Sequence, residues 1–97
     1  MKINITASIK KKILAKHGVT EKEVKECFAN RDRFALRDER EDHQTDPPSC
    51  WIIAETNHLR ELKVVFVVKD GVPAVKTAYE PNPEEVRIYN SKARLLD

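Results

Sequence analysis

The sequence predicts an α+β domain: an N-terminal helical hairpin, an antiparallel sheet of three to four strands, and a C-terminal helix. Three observations carry that prediction. Two stretches between helix-capping residues repeat apolar side chains every four positions. Two apolar runs and a third β-rich segment follow, the last pair joined by Asp70-Gly71, a strong two-residue hairpin signal. Asn82-Pro83-Glu84-Glu85 then reads as the start of a helix, with the cap, the proline and the acidic first turn in order.

Thr6 is placed to cap a first helix over 7–16, which Gly18 ends. Ile9, Ile13 and His17 form its buried stripe with Leu14 beside them, and Lys10, Lys11, Lys12 and Lys16 fill most of the remaining surface. Thr20 with Glu23 is a capping box opening a second helix over 21–29, whose apolar face is Val24, Cys27 and Phe28. Arg33 to Arg37 is compatible with a short strand. It runs into a polar segment that ends at Pro47-Pro48, a pair that stops both helix and ladder.

The sheet signal is sharper. Trp51 to Thr56 reads as a strand, Asn57 to Arg60 as a turn, and Leu62 to Lys69 as a central strand because Val64 to Val68 is apolar on both faces. Val72 to Tyr79 is the third strand. A two-residue turn at Asp70-Gly71 sets Lys69 opposite Val72, Val67 opposite Ala74, Val65 opposite Lys76 and Lys63 opposite Ala78. That register puts Leu62, Val64, Phe66, Val68, Val75, Thr77 and Tyr79 on the core face. The other face then carries Lys63, Lys69 and Lys76 among small apolar residues, a solvated surface with affinity for an anion.

The chain of 97 residues fits one domain, 1–97, and its size limits the core to about 60–65 % of the unfolded surface. A charged fraction of 35 % and a mean hydropathy of −0.59 favour a soluble protein, with no run long enough to span a bilayer and no signal peptide at the start. Cys27 and Cys50 lack metal-ligand spacing, so neither a disulfide framework nor a cysteine zinc site is expected, and the reading is a reducing, cytoplasmic setting without metal or cofactor. Net charge is only +2, but it is uneven. Residues 1–33 carry nine basic and four acidic side chains, 34–61 carry three and seven, and 62–97 carry six and five. The basic end permits an anionic partner.

Lys16-His17-Gly18-Val19-Thr20, with Glu23 and Val24 after it, resembles the Lys-His-Gly-Val-Ser opening of BrnT-type toxins, small ribonucleases of the RelE superfamily. Trp51 to Thr56, Leu62 to Val68 and Lys76 to Tyr79 are similar to the strand order of that family, and Glu85 and Tyr89 fall where its last helix also has Glu and Tyr. The resemblance covers about 16–30 and 50–89. Where BrnT-type toxins carry Ser-Ala-Arg, this chain has Thr77-Ala78-Tyr79, an ending similar to strands of the wider ribonuclease group. The resemblance implies a RelE-like fold and a bacterial endoribonuclease toxin, paired with a small antitoxin whose acidic segment covers Lys63 and Lys76.

Cleavage of RNA by its 2′-hydroxyl needs a base, an acid, and cations for the phosphate. Of three histidines, His17 ends an apolar stripe and His58 sits in a turn, whereas His43 lies in the polar loop where functional residues concentrate. The expected catalytic set is therefore His43, Thr77 and Tyr79, with Lys63, Lys76 and Arg87 binding substrate; Arg87 also lies within reach of Glu84. Two other classes stay open. One is a non-catalytic RNA- or protein-binding module with the same fold, and the other is a hydrolase acting on ADP-ribose conjugates. The sequence leaves open whether the protein forms a homodimer.

Overall fold

A computed structural model of the chain describes residues 1–39 and 46–96. The order is α1 (Ala7–His17), α2 (Glu21–Asn30), β1 (Leu36–Arg37), β2 (Ser49–Glu55), β3 (Glu61–Lys69), β4 (Val72–Tyr79) and α3 (Pro83–Lys92). The four strands form one antiparallel meander in the order β1-β2-β3-β4. This is the α+β plan the sequence predicts. Among the described residues no helix is long and apolar enough to cross a membrane.

Each helix starts as its cap residues dictate. The Thr6 hydroxyl accepts from Ile9 N–H, and Thr20 with Glu23 closes a reciprocal capping box. Gly18 ends α1 at φ +61°, a left-handed conformation that glycine adopts without a Cβ penalty. Ile13 is buried and Ile9 packs against the core, but Leu14 is 56 % exposed. The reason is that α1 packs mainly on the edge strand β4, so only a narrow stripe of the helix is covered.

One face of the sheet packs Ile52, Leu62, Val64, Phe66, Val75 and Ala78 beneath α2 and its neighbours. Phe28 of α2 meets Phe66 edge-on at 5.3 Å, and the Cys27 thiol donates to the Ala54 carbonyl. The Asp70-Gly71 turn has both residues at positive φ, 52° and 77°, as a type I′ hairpin requires. The register runs as expected from Lys69↔Val72 to Phe66↔Val75. It then breaks: Val65 pairs with Thr77, Val64 with Ala78 and Lys63 with Tyr79.

Lys76 is the extra residue of a β-bulge, so the expected pairs Val65–Lys76 and Lys63–Ala78 do not form. Beyond the bulge every side chain changes face. Ala78, expected among the lysines, is fully buried in the core, and Thr77 and Tyr79 join the face of Lys63. That second face is not the open surface expected either, because α3 covers part of it. Tyr89 lies against Trp51 at 5.5 Å between ring centres, and Trp51, Ile53 and Tyr89 are all buried.

The ends of the chain complete the packing. Asn4 pairs with the outer edge of β4, donating to Pro73 O and accepting from Val75 N–H; Pro73, which has no N–H to give, is tolerated at such an edge. The short strand expected over 33–37 is limited to Leu36–Arg37. Arg33 bridges instead to Leu95, and Phe34 N–H donates to Arg94 O, because the segment after α3 returns beside residues 32–34.

Candidate functional site

The second sheet face gathers a cluster of charged and aromatic groups. Lys63, the third residue of β3, is 5 % exposed, and its Nζ lies 2.7 Å from Glu85 Oε2. The Tyr79 hydroxyl donates to the same oxygen at 3.0 Å. The ammonium also stands 4.4 Å from the Trp51 ring centre and 5.7 Å from that of Tyr79. Strand pairing sets this arrangement, since Ile53, Lys63 and Tyr79 form one cross-strand row and Leu36, Trp51, Val65 and Thr77 the next.

Glu85 is fixed by a second duty. As the third residue of α3 it closes a capping box with Asn82: its Oε1 accepts from Asn82 N–H at 3.0 Å, and its own N–H donates to Asn82 Oδ1 at 2.8 Å. One oxygen caps the helix and the other holds Lys63 and Tyr79. Burial raises the carboxyl's pKa, but the hydrogen bond from Lys63, the Asn82 N–H, the Lys63 charge and the Tyr79 hydroxyl outweigh it and hold Glu85 below the usual carboxylate range.

Lys63 and Glu85 form part of the wall of a cleft of about 560 Å³, with Leu36, Arg37, Trp51 and Lys92 among the other lining residues. A larger cleft of about 690 Å³ lies around Asn30, Asp32, Glu55, Asn57 and Glu61. Its lining sets Asp32, Glu55 and Glu61 against Arg33, whereas the smaller cleft sets Arg37, Lys63 and Lys92 against Asp38, Glu39 and Glu85, so the smaller cleft is the less acidic place for an anion. Among the described residues no three His, Cys, Asp or Glu side chains are placed to hold a metal ion.

A second ionic cluster ties the elements together. Arg60, just before β3, donates to both carboxylate oxygens of Glu23, to Glu80, and to the carbonyls of His17 and Gly18 at the end of α1. Glu23 is the capping-box glutamate of α2, so both capping boxes bind a cation from the start of β3. Next to this cluster the His17 ring lies 5.6 Å from the Tyr79 ring.

The structure therefore brings together Lys63, Tyr79 and Thr77 from the expected set, though by a different register. Lys76 sits exposed at the bulge, and Arg87, exposed on α3, pairs with Glu84 through its Nη2 and, at 3.1 Å, its Nε. Lys63 is not the solvent-facing clamp expected, because it is buried and already paired. His43 lies outside the described residues. The sequence reading missed Glu85 as a site residue, along with Arg37, Lys92 and the ring of Trp51 under the ammonium. Glu85 was legible as an acidic residue in the first turn of α3, but nothing local shows that its carboxylate holds Lys63 and Tyr79. No protein-family model matches the chain, and no curated protein matches it.

Proposed function

We propose that the protein is a small cytoplasmic endoribonuclease of the RelE-like, BrnT-related kind, the toxin of a toxin–antitoxin pair, which cleaves RNA without a metal. The observation that carries this reading is the Lys63–Glu85–Tyr79 cluster beside a cleft lined also by Arg37, Trp51 and Lys92. A phosphodiester in that cleft meets cations for its charge and an ionised carboxylate for a proton.

In the proposed reaction Glu85 takes the proton of the attacking 2′-hydroxyl, directly or through the Tyr79 hydroxyl, which donates to Glu85 while keeping lone pairs to accept. The 2′ oxygen bonds to phosphorus, the bond to the 5′ oxygen breaks, and the leaving oxygen takes a proton from His43, four positions after the cleft residue Glu39. Lys63 holds Glu85 and Tyr79 in place and lends positive potential to the cleft.

The test is cleavage of single-stranded and ribosomal RNA in excess EDTA, with the product ends identified. The expected products carry 2′,3′-cyclic phosphate and 5′-hydroxyl ends. His43→Ala and Glu85→Gln, assayed where each is folded, should each cost about 10² to 10⁴ in rate, and Tyr79→Phe less. Wild-type protein that binds RNA but makes no cyclic ends identifies a binding module instead, and wild-type rates in His43→Ala remove that residue from the mechanism.

A further inference from the structure

The first twenty residues hold five lysines and no acidic side chain. Four of those lysines lie on α1, all exposed. Lys10 is paired with Glu21 at 3.2 Å, whereas among the described residues Lys11, Lys12 and Lys16 make no ion pair. Lys12 and Lys16 stand one turn apart on the same side, an arrangement that costs an isolated helix a few tenths of a kcal/mol, about as much as an opposite-charge pair contributes. Among the described residues no carboxylate pairs with either lysine, and a polyanion would supply the missing negative charge.

The position of the helix says which polyanion. α1 packs on β4, and its last residue, His17, has its ring 5.6 Å from Tyr79, whose hydroxyl reaches Glu85. β4 also carries the exposed Lys76 at the bulge. The C-terminal end of the basic helix thus approaches the cluster at Tyr79, and its lysines run back from there along the β4 side of the sheet. We infer that Lys11, Lys12 and Lys16 form a docking surface for the sugar–phosphate backbone of the RNA beyond the nucleotides held in the cleft. This rests on the nuclease reading and adds that the substrate is a long strand, gripped outside the scissile site. Contacts of this kind carry no base preference and depend strongly on salt.

The experiment compares the wild type with a Lys11→Gln/Lys12→Gln/Lys16→Gln variant, whose helix propensities are nearly unchanged. Binding of a twenty-nucleotide single strand is titrated across salt concentrations, and cleavage is measured on that strand and on a dinucleotide. The expected result is about tenfold weaker binding of the long strand at moderate salt, with the slope of log K against log salt reduced by about 2 for three lost contacts. Dinucleotide cleavage should be unchanged. Unchanged long-strand affinity and slope, with Arg37→Gln and Lys92→Gln weakening it, overturns the docking surface and leaves the nuclease reading intact. Strong, lysine-dependent binding without any cleavage upholds the surface and overturns the nuclease. A wild type that binds no RNA overturns both.

Discussion

Replacing Glu85 by Gln tests how Lys63 is held. Lys63 is 5 % exposed and the Glu85 side chain 19 %, so the pair is largely but not wholly withdrawn from water. An amide has one oxygen, which cannot serve both Asn82 N–H and the Lys63 ammonium. The ammonium stays buried with only rings beside it. Breaking a buried pair from one side costs about 3–5 kcal/mol, and partial solvent access to Glu85 brings the expected cost to about 2–3 kcal/mol. Lys63→Met leaves the opposite remainder, a carboxylate that keeps Asn82 N–H, the Tyr79 hydroxyl and some water, at about 1 kcal/mol or less. The double variant, with no charge left unpaired, should cost little more than Lys63→Met alone, a coupling of about 2–3 kcal/mol. In thermal terms Glu85→Gln should lower Tm by about 10–20 °C, at about 4–8 °C per kcal/mol for a domain of this size. Urea unfolding at pH 7 followed by far-UV circular dichroism measures all four corners of the cycle. If Glu85→Gln costs no more than Lys63→Met, or if the two add without coupling, the ammonium is not held as described.

Two further outcomes follow from the same geometry. Arg60→Ala should destabilise by about 2–3 kcal/mol, since it strips Glu23 and two helix-end carbonyls of a charged donor while the exposed Glu80 arm contributes little, and Arg60→Lys should recover only a small part because an ammonium cannot span those acceptors; equal stability of Arg60→Ala and wild type refutes the clamp. Burial raises the pKa of both Glu23 and Glu85, but Thr20 N–H and Arg60 at Glu23, and Lys63 and Asn82 N–H at Glu85, outweigh it, so both folded carboxyls lie below their unfolded value of 4.5. The unfolded chain then binds more protons in acid, so this stability is fully present above about pH 4.5 and is lost as pH falls through the folded values. Unfolding free energies from pH 6 down to pH 3 should fall less steeply in Glu23→Gln and Glu85→Gln than in the wild type, and identical slopes count against the assignment.

Most of the fold was legible because its signals are local. Thr6, Gly18, Thr20 with Glu23, Asp70-Gly71 and Asn82-Pro83 each fix an end or a turn through the few residues around them. The Lys76 bulge was not legible, because an alternating pattern reads the same until the partner strand shows where the count slips. The face of Tyr79 was lost with it. The covering of the second face was missed for a related reason: the apolar side of α3, with Val86, Ile88, Tyr89 and Ala93, is a weak stripe in a polar helix, and only its packing on Trp51 and Ile53 shows its partner. Glu85 illustrates the same limit within the site. Its capping oxygen answers to Asn82, three residues away, and its other oxygen to Lys63, twenty-two residues away.

The bulge also sets how β4 responds to a change in chain length. Upstream of Lys76 the strand keeps one parity with β3, and downstream it keeps the opposite one. Deleting Lys76 would do more than remove an exposed side chain: it would restore a single parity through the strand. Val65 would still pair with Thr77, Val64 with Ala78 and Lys63 with Tyr79, so the tyrosine hydroxyl would keep its place beside the carboxylate of Glu85. A one-residue insertion at the same place would move the strand end out of step with Lys63. Residue 76 can therefore change in identity, or be lost with the ladder made regular, whereas an added residue must be absorbed by a wider bulge if Tyr79 is to stay opposite Lys63.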